Sequence, residues 1–156
     1  MSFQIHPLPV GPFEHLFGAD ESTLAAHGVT RLTAQCDPGY PCRISLQDAH
    51  VGESVLLLNY EHQPHDTPYR ARHAIFIRED AKEAVPAAGE VPESISRRLI
   101  SLRVFNQAHV LITADVAQGD AVRTKIETLF AHPDADYIHL HNAKPGCYAA
   151  QVTRSP

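Results

Sequence analysis

Apolar and polar residues alternate along most of the chain from Arg43 onward. The segments "RISLQ", "VLLLNYE", "HAIFIRE", "LISLRVF" and "HVLITADV" are β-branched or aliphatic runs separated by turn residues, and each predicts a strand. "YIHLHN" and "CYAAQVTR" add two more near the C-terminus. Between these groups the period lengthens. Val122, Ile126, Leu129 and Phe130 fall at i, i+4, i+7 and i+8, which predicts a helix from Asp120 to about His132. Asp120 is its expected N-cap, Arg123 and Glu127 pair on the outer face, and Pro133 stops it.

The first 42 residues are loop-rich, with one short helix expected at Asp20 to His27, capped by Asp20 and ended by Gly28. His27 and His132 each sit in a last helical turn, where the helix dipole suits a partial positive charge. "EDAKEAVPAAGEVPES" reads as an exposed connection with a helical turn after Pro92. The expected architecture is α+β: a mostly antiparallel sheet, one main helix (120–132) packed on it, and a loop-rich N-terminal segment (1–42). At 156 residues the chain is expected to form a single domain over 1–156, burying roughly 70% of its unfolded surface.

Charge narrows the function classes. A net charge of −5 and no Lys/Arg-rich run argue against nucleic acid or an anionic membrane as partner. Pro7, Pro9 and Pro12 interrupt the N-terminal apolar residues, and the longest apolar run, Val55 to Leu58, is too short to span a bilayer. A cytoplasmic protein is expected. Three cysteines, an odd number, then predict free thiols. A disulfide between Cys36 and Cys42 is the alternative across "CDPGYPC", where five intervening residues do not suit a zinc ribbon.

Histidine is the unusual component, with eleven in the chain. In the strand "YIHLHN", Ile138 and Leu140 point to one face, and Tyr137, His139 and His141 form a row on the other. "AKPG" places proline and glycine at the centre of an expected type II turn, which returns the chain past Cys147. Two imidazoles at i and i+2 on a strand can share one divalent metal if a third ligand joins them, with His73, Cys147, Glu61 and Asp115 as candidates. Otherwise the row is the polar, solvent-facing side of an ordinary strand.

Residues 59–79, "NYEHQPHDTPYRARHAIFIRE", form a second rich segment. His73 shares a strand face with Ile75 and Ile77 and is expected to be partly buried. Arg70 and Arg72 lie close by in sequence, and Arg103 sits on another strand. Guanidinium groups at a sheet suit carboxylate or phosphate, although Glu79 and Asp115 are acids available to pair with them. No phosphate-binding glycine loop, G-x-S-x-G elbow or H-E-x-x-H motif is present. Cys147 beside histidine adds a nucleophilic thiol as a third idea.

Two blocks, "CRISLQDAHVGESVLLLNYEHQPHDTPYRARHAIFIRE" and "YIHLHNAKPGCYAAQVTR", resemble a bacterial family of small proteins known as a domain of unknown function, the one numbered 1203. The likeness runs from Cys42 to Arg154. It implies a single-domain bacterial protein and carries no activity, cofactor or catalytic residue.

The residues support three readings. In the first, a pocket takes a small anionic metabolite: Arg70, Arg72 or Arg103 anchors charge, His73, His139 or His141 moves protons, and Tyr69 or Asn142 orients the ligand. It requires the two rich segments to be neighbours. In the second, His139 and His141 hold a divalent metal with His73, Cys147 or a carboxylate. No cofactor is required otherwise. In the third, the protein is non-catalytic and acts through a sheet edge or an oligomer interface.

Overall fold

Every strand pair is antiparallel, some joined by hairpins and others, such as the first and last strands of the chain, brought together from far apart in sequence. The computed structural model describes residues 2–156 and sorts the strands into two sheets where one was expected. The larger has the order β1 (Ser2–His6), β8 (Tyr148–Ser155), β7 (Tyr137–Asn142), β5 (Leu99–Phe105) and β6 (Leu111–Gln118). The smaller has the order β2 (Thr30–Thr33), β3 (Ser54–Gln63) and β4 (Ala71–Arg78). The fold is sheet-dominated α+β, as the periodicity predicted.

One face of the larger sheet packs on the main helix, α3 (Ala121–Leu129). Ile100, Leu102, Val104, Ile138, Leu140 and Val152 meet Val122, Ile126 and Phe130 there, all fully or nearly fully buried. Each such side chain contributes about 1.5–3 kcal/mol of burial, so packing holds a helix too short to persist alone. Asp120 does not cap it as expected: its backbone is already helical (φ −65°, ψ −20°) and its side chain makes no capping bond. The helix also stops at Leu129, before the expected His132.

The N-terminal 42 residues hold more structure than expected. Alternation in "SFQIH" buries Phe3 and Ile5 as β1, and β2 edges the smaller sheet. Between them lies α1 (Glu21–Ala26), where Asp20 accepts the Thr23 N–H at 2.8 Å, the expected cap, and Leu24 is fully buried. Leu8, Phe13, Leu16, Leu24 and Val29 cover Leu56, Leu58, Ile75 and Ile77 of the smaller sheet. Glu79 ties this segment down, accepting from Arg31 (2.6 Å), the Gly18 N–H (2.7 Å) and the Ser54 hydroxyl (2.5 Å).

"RISLQ" is a tight turn and not a strand. The Leu46 N–H donates to the Cys42 carbonyl, the Cys42 N–H donates to the Gln47 carbonyl, and Leu46 adopts φ +53°. Its apolar residues answer burial instead of extension, with Ile44 and Leu46 inside the core. After Pro92, α2 (Glu93–Ser96) forms the expected helical turn. No helix among the described residues is long and apolar enough to cross a membrane.

Candidate functional site

The two histidine-rich segments meet between the sheets. Strand periodicity sends Ile138 and Leu140 to the helix side and Tyr137, His139 and His141 to the other, as expected. That other side is not solvent-facing. The smaller sheet covers it, leaving His139 2% and His141 1% exposed.

A bulge in β3 supplies the opposite wall. Tyr60 pairs with His73 and Gln63 with Ala71, so two residues of β3 face one of β4. Such an insertion breaks strict alternation, and both His62 and Gln63 reach the space between the sheets. The His62 ring stacks on Tyr148 (5.4 Å, 10°) and lies 4.9 Å from His141 and 6.1 Å from His139, centroid to centroid. Gln63 Nε2 donates to the Tyr137 hydroxyl at 2.9 Å, and that hydroxyl lies 2.9 Å from His109 Nδ1. His109 in turn stacks on His65.

His62, Gln63, His139 and His141 line a cavity of about 190 Å³ together with Tyr69, Ser101 and Arg103. Arg103 stands opposite His139 in the β5–β7 register and forms no salt bridge among the described residues. Burial is the first cause that lowers the histidine pKa values, to about 4 at His62, about 4 at His139 and about 3 at His141. The Arg103 charge pushes all three in the same direction, against the hydrogen bonds that His139 makes to Gln151 and His141 to the Gly146 carbonyl. All three imidazoles are therefore neutral near pH 7. Buried side-chain polar atoms are nearly always hydrogen-bonded. Here His62 Nδ1, Gln63 Oε1 and His139 Nδ1 are buried without a partner.

Of the residues singled out in the sequence, His139, His141, Arg103 and Tyr69 share this cavity. Arg70 and Arg72 do not. They lie on the outward side of the smaller sheet, where Arg70 pairs with Glu61 (3.1 Å) and Arg72 bonds Asn59. The acids expected to satisfy local arginines are taken by other cations, Glu79 by Arg31 and Asp115 by Lys125. His62 and Gln63 escaped the sequence reading because the bulge removes the period-two signal.

His73 and Asn142 belong to a second cavity, a cleft of about 630 Å³ along the edge strand β4. His73 is partly buried, as expected. The β7–β8 connection forms one end of the cleft. Gly146 takes φ +83°, the left-handed value expected of glycine after Pro145, and its N–H donates to the Asn142 carbonyl. Cys147 and Arg43 line the cleft with His73 and Asn142. Cys36, Cys42 and Cys147 are free thiols, so Cys36 and Cys42 are not joined.

Neither His73 nor Cys147 joins His139 and His141 as a third metal ligand; His62 is the third imidazole beside them. Among the described residues no three His, Cys, Asp or Glu side chains converge closely enough to hold a metal ion.

No curated protein and no solved structure matches the chain. One family model does, over residues 39–154, a span that includes both cavities' principal walls. The chain therefore belongs to the family described as "Protein of unknown function (DUF1203)".

Proposed function

We propose that the cavity between the sheets binds a small oxyanion that carries an O–H or N–H, and that the neutral imidazoles accept a hydrogen bond from it. The supporting observation is the set of unpartnered atoms, His62 Nδ1, Gln63 Oε1 and His139 Nδ1, gathered beside an arginine with no counter-ion. Arg103 offers only donors and a fixed positive charge. Gln63 Oε1 offers a lone pair, and a neutral imidazole offers one at whichever nitrogen lacks a proton. A ligand that supplies both negative oxygen and a donor satisfies the whole set. An isolated apolar molecule satisfies none of it.

Chemistry follows from the same atoms. The neutral imidazoles act there as hydrogen-bond acceptors, and the neighbouring guanidinium holds the ligand's negative oxygen. His139 and His141 are the acceptors in this reading, Arg103 the anchor, and Tyr69 at the cavity mouth an orienting group.

Calorimetric titration of the protein with inorganic phosphate and with sulfate tests the proposal. Near neutral pH, hydrogen phosphate retains an O–H and sulfate has none. Saturable phosphate binding, weaker sulfate binding, and loss of both in Arg103→Met are expected. Equal binding of the two anions, or unchanged binding in Arg103→Met, overturns it.

A divalent metal is the alternative; His62 and His141 lie 4.9 Å apart, but no three ligand side chains among the described residues converge on one point as they stand. About one zinc, iron or manganese per chain in tag-free protein, lost when His139→Ala and His141→Ala are combined, would replace the anion reading. A purely structural protein is the remaining reading, and it leaves the unpartnered atoms unexplained.

A further inference from the structure

Arg43 is the largest fully buried side chain in the protein, 2% exposed, and it pairs with no carboxylate among the described residues. Its Nε donates to the Tyr148 carbonyl (2.7 Å), its Nη1 to the Pro41 carbonyl (2.5 Å) and its Nη2 to Cys147 Sγ (2.9 Å). A guanidinium keeps its proton in a protein, so burial demands a counter-charge. Burial lowers the Arg43 pKa, and the Cys147 sulfur is the foremost group opposing that.

Asn142 Nδ2 also points at Cys147 Sγ, at 3.5 Å. The asparagine is 3% exposed, and its Oδ1 is buried without a partner. All three residues line the 630 Å³ cleft, whose other charged lining groups are Arg97, Arg98 and Lys144. No carboxylate lines it. Asp48, its side chain 1% exposed, pairs with Arg97 and Arg98, and Glu93 and Asp37 also pair with Arg97, whereas Lys144 forms no salt bridge among the described residues.

We propose that Cys147 is a nucleophilic thiol, held by Arg43 and Asn142 at the floor of a cation-lined cleft, and that it reacts with a small anionic electrophile. The site is separate from the histidine cavity and does not depend on it. In the step, the thiol gives up its proton to water and the sulfur electron pair forms the new S–C bond. The bond displaced at that carbon, a σ bond to a leaving group or the π bond of a carbonyl, gives its pair to the leaving atom or to oxygen. Lys144, unpaired among the described residues, attracts the substrate's own negative charge, with Arg97 and Arg98 beside it held by carboxylates.

Iodoacetate and iodoacetamide are probes of one shape that differ in charge. Each transfers its carbon to sulfur and releases iodide. The intact protein is treated with each, and peptide mass spectrometry follows Cys147 against the exposed Cys36. The expected ratio of iodoacetate to iodoacetamide rates is about tenfold higher at Cys147 than at Cys36. Lys144→Ala lowers that ratio toward the Cys36 value, and Arg43→Met slows both reagents at Cys147. Labelling of Cys147 only after denaturation overturns the proposal, and so does a ratio equal to that at Cys36. If Arg43→Met fails to fold, the exposed Lys144→Ala variant and the two-residue comparison still decide.

Discussion

His62 lies flat against Tyr148, with ring centroids 5.4 Å apart and planes 10° from parallel. The contact joins β3 of the smaller sheet to β8 of the larger, and it holds His62 at the histidine cavity. His62→Ala removes it and opens the space to water. Stability should fall by about 1–3 kcal/mol, read by denaturant titration. Phosphate affinity should fall in the same variant. A variant that binds phosphate as tightly as the parent would show that His62 is packing alone.

Stability should depend on pH through the same cluster. His62, His139 and His141 have pKa values of about 4, 4 and 3 when folded, against 6.5 when unfolded. A group whose folded pKa is depressed gives stability that is complete above the unfolded value. Below it the unfolded chain binds more protons, and stability is lost as pH falls from about 6.5 towards 3–4. A tenfold difference in proton affinity between the two states is worth about 1.4 kcal/mol, so a loss of several kcal/mol is expected over that window. His139→Gln with His141→Gln should flatten the curve. Phosphate should also protect more strongly at pH 5.5 than at 7.5, because the bound anion favours imidazolium.

Tyr137→Phe isolates the hydrogen-bonded string that runs from Gln63 through Tyr137 to His109. Without the hydroxyl, Gln63 Nε2 and His109 Nδ1 lose their partner. A cost of about 1–3 kcal/mol is expected for leaving buried groups unsatisfied. Gln63→Leu together with Tyr137→Phe should cost less than the sum of the two single changes, because the pair is then removed as a unit. Additive losses in this cycle would mean that the string carries no coupling.

Glu79→Gln tests how the N-terminal segment is fastened. Arg31, foremost among the donors around Glu79, holds its pKa at about 2. The depressed value means that Glu79 stabilises the fold above its unfolded pKa and does so less as pH falls toward 2. The variant should lose about 1–3 kcal/mol at neutral pH. Hydrogen exchange should speed up first around Gly18 and Arg31, with β5 and β7 protected as before.

Period-two alternation was enough to find His139 and His141 on one face, and Arg103 came from the same rule on β5. The helices were legible through Asp20, Pro92 and the Val122–Ile126–Phe130 stripe. Other features depended on partners far away in the chain. His62 and Gln63 enter the cavity through a bulge, which is defined only when β4 is set beside β3. Arg43 looks like a surface residue in "PCRISLQ", and its burial comes from the Tyr148 carbonyl and Cys147 more than a hundred residues later. Arg70 and Arg72 misled because sequence proximity to His73 does not reveal which side of the strand they occupy. β1 was obscured because Pro7 and Pro9 follow its alternation at once.

The two-sheet arrangement bears on where the folding unit ends. The family match begins at Gly39, yet β1 and β2 lie before it, and each forms the outermost strand of one sheet. A chain started at Gly39 would leave β8 and β3 with unpaired backbone along one side, and would strip Leu8, Phe13, Leu16 and Leu24 from the smaller sheet's core. Bare edges of this kind recruit other strands. The segment shared across the family is thus a part that needs its leading 38 residues, or some other cover, to keep its sheet edges and core out of water.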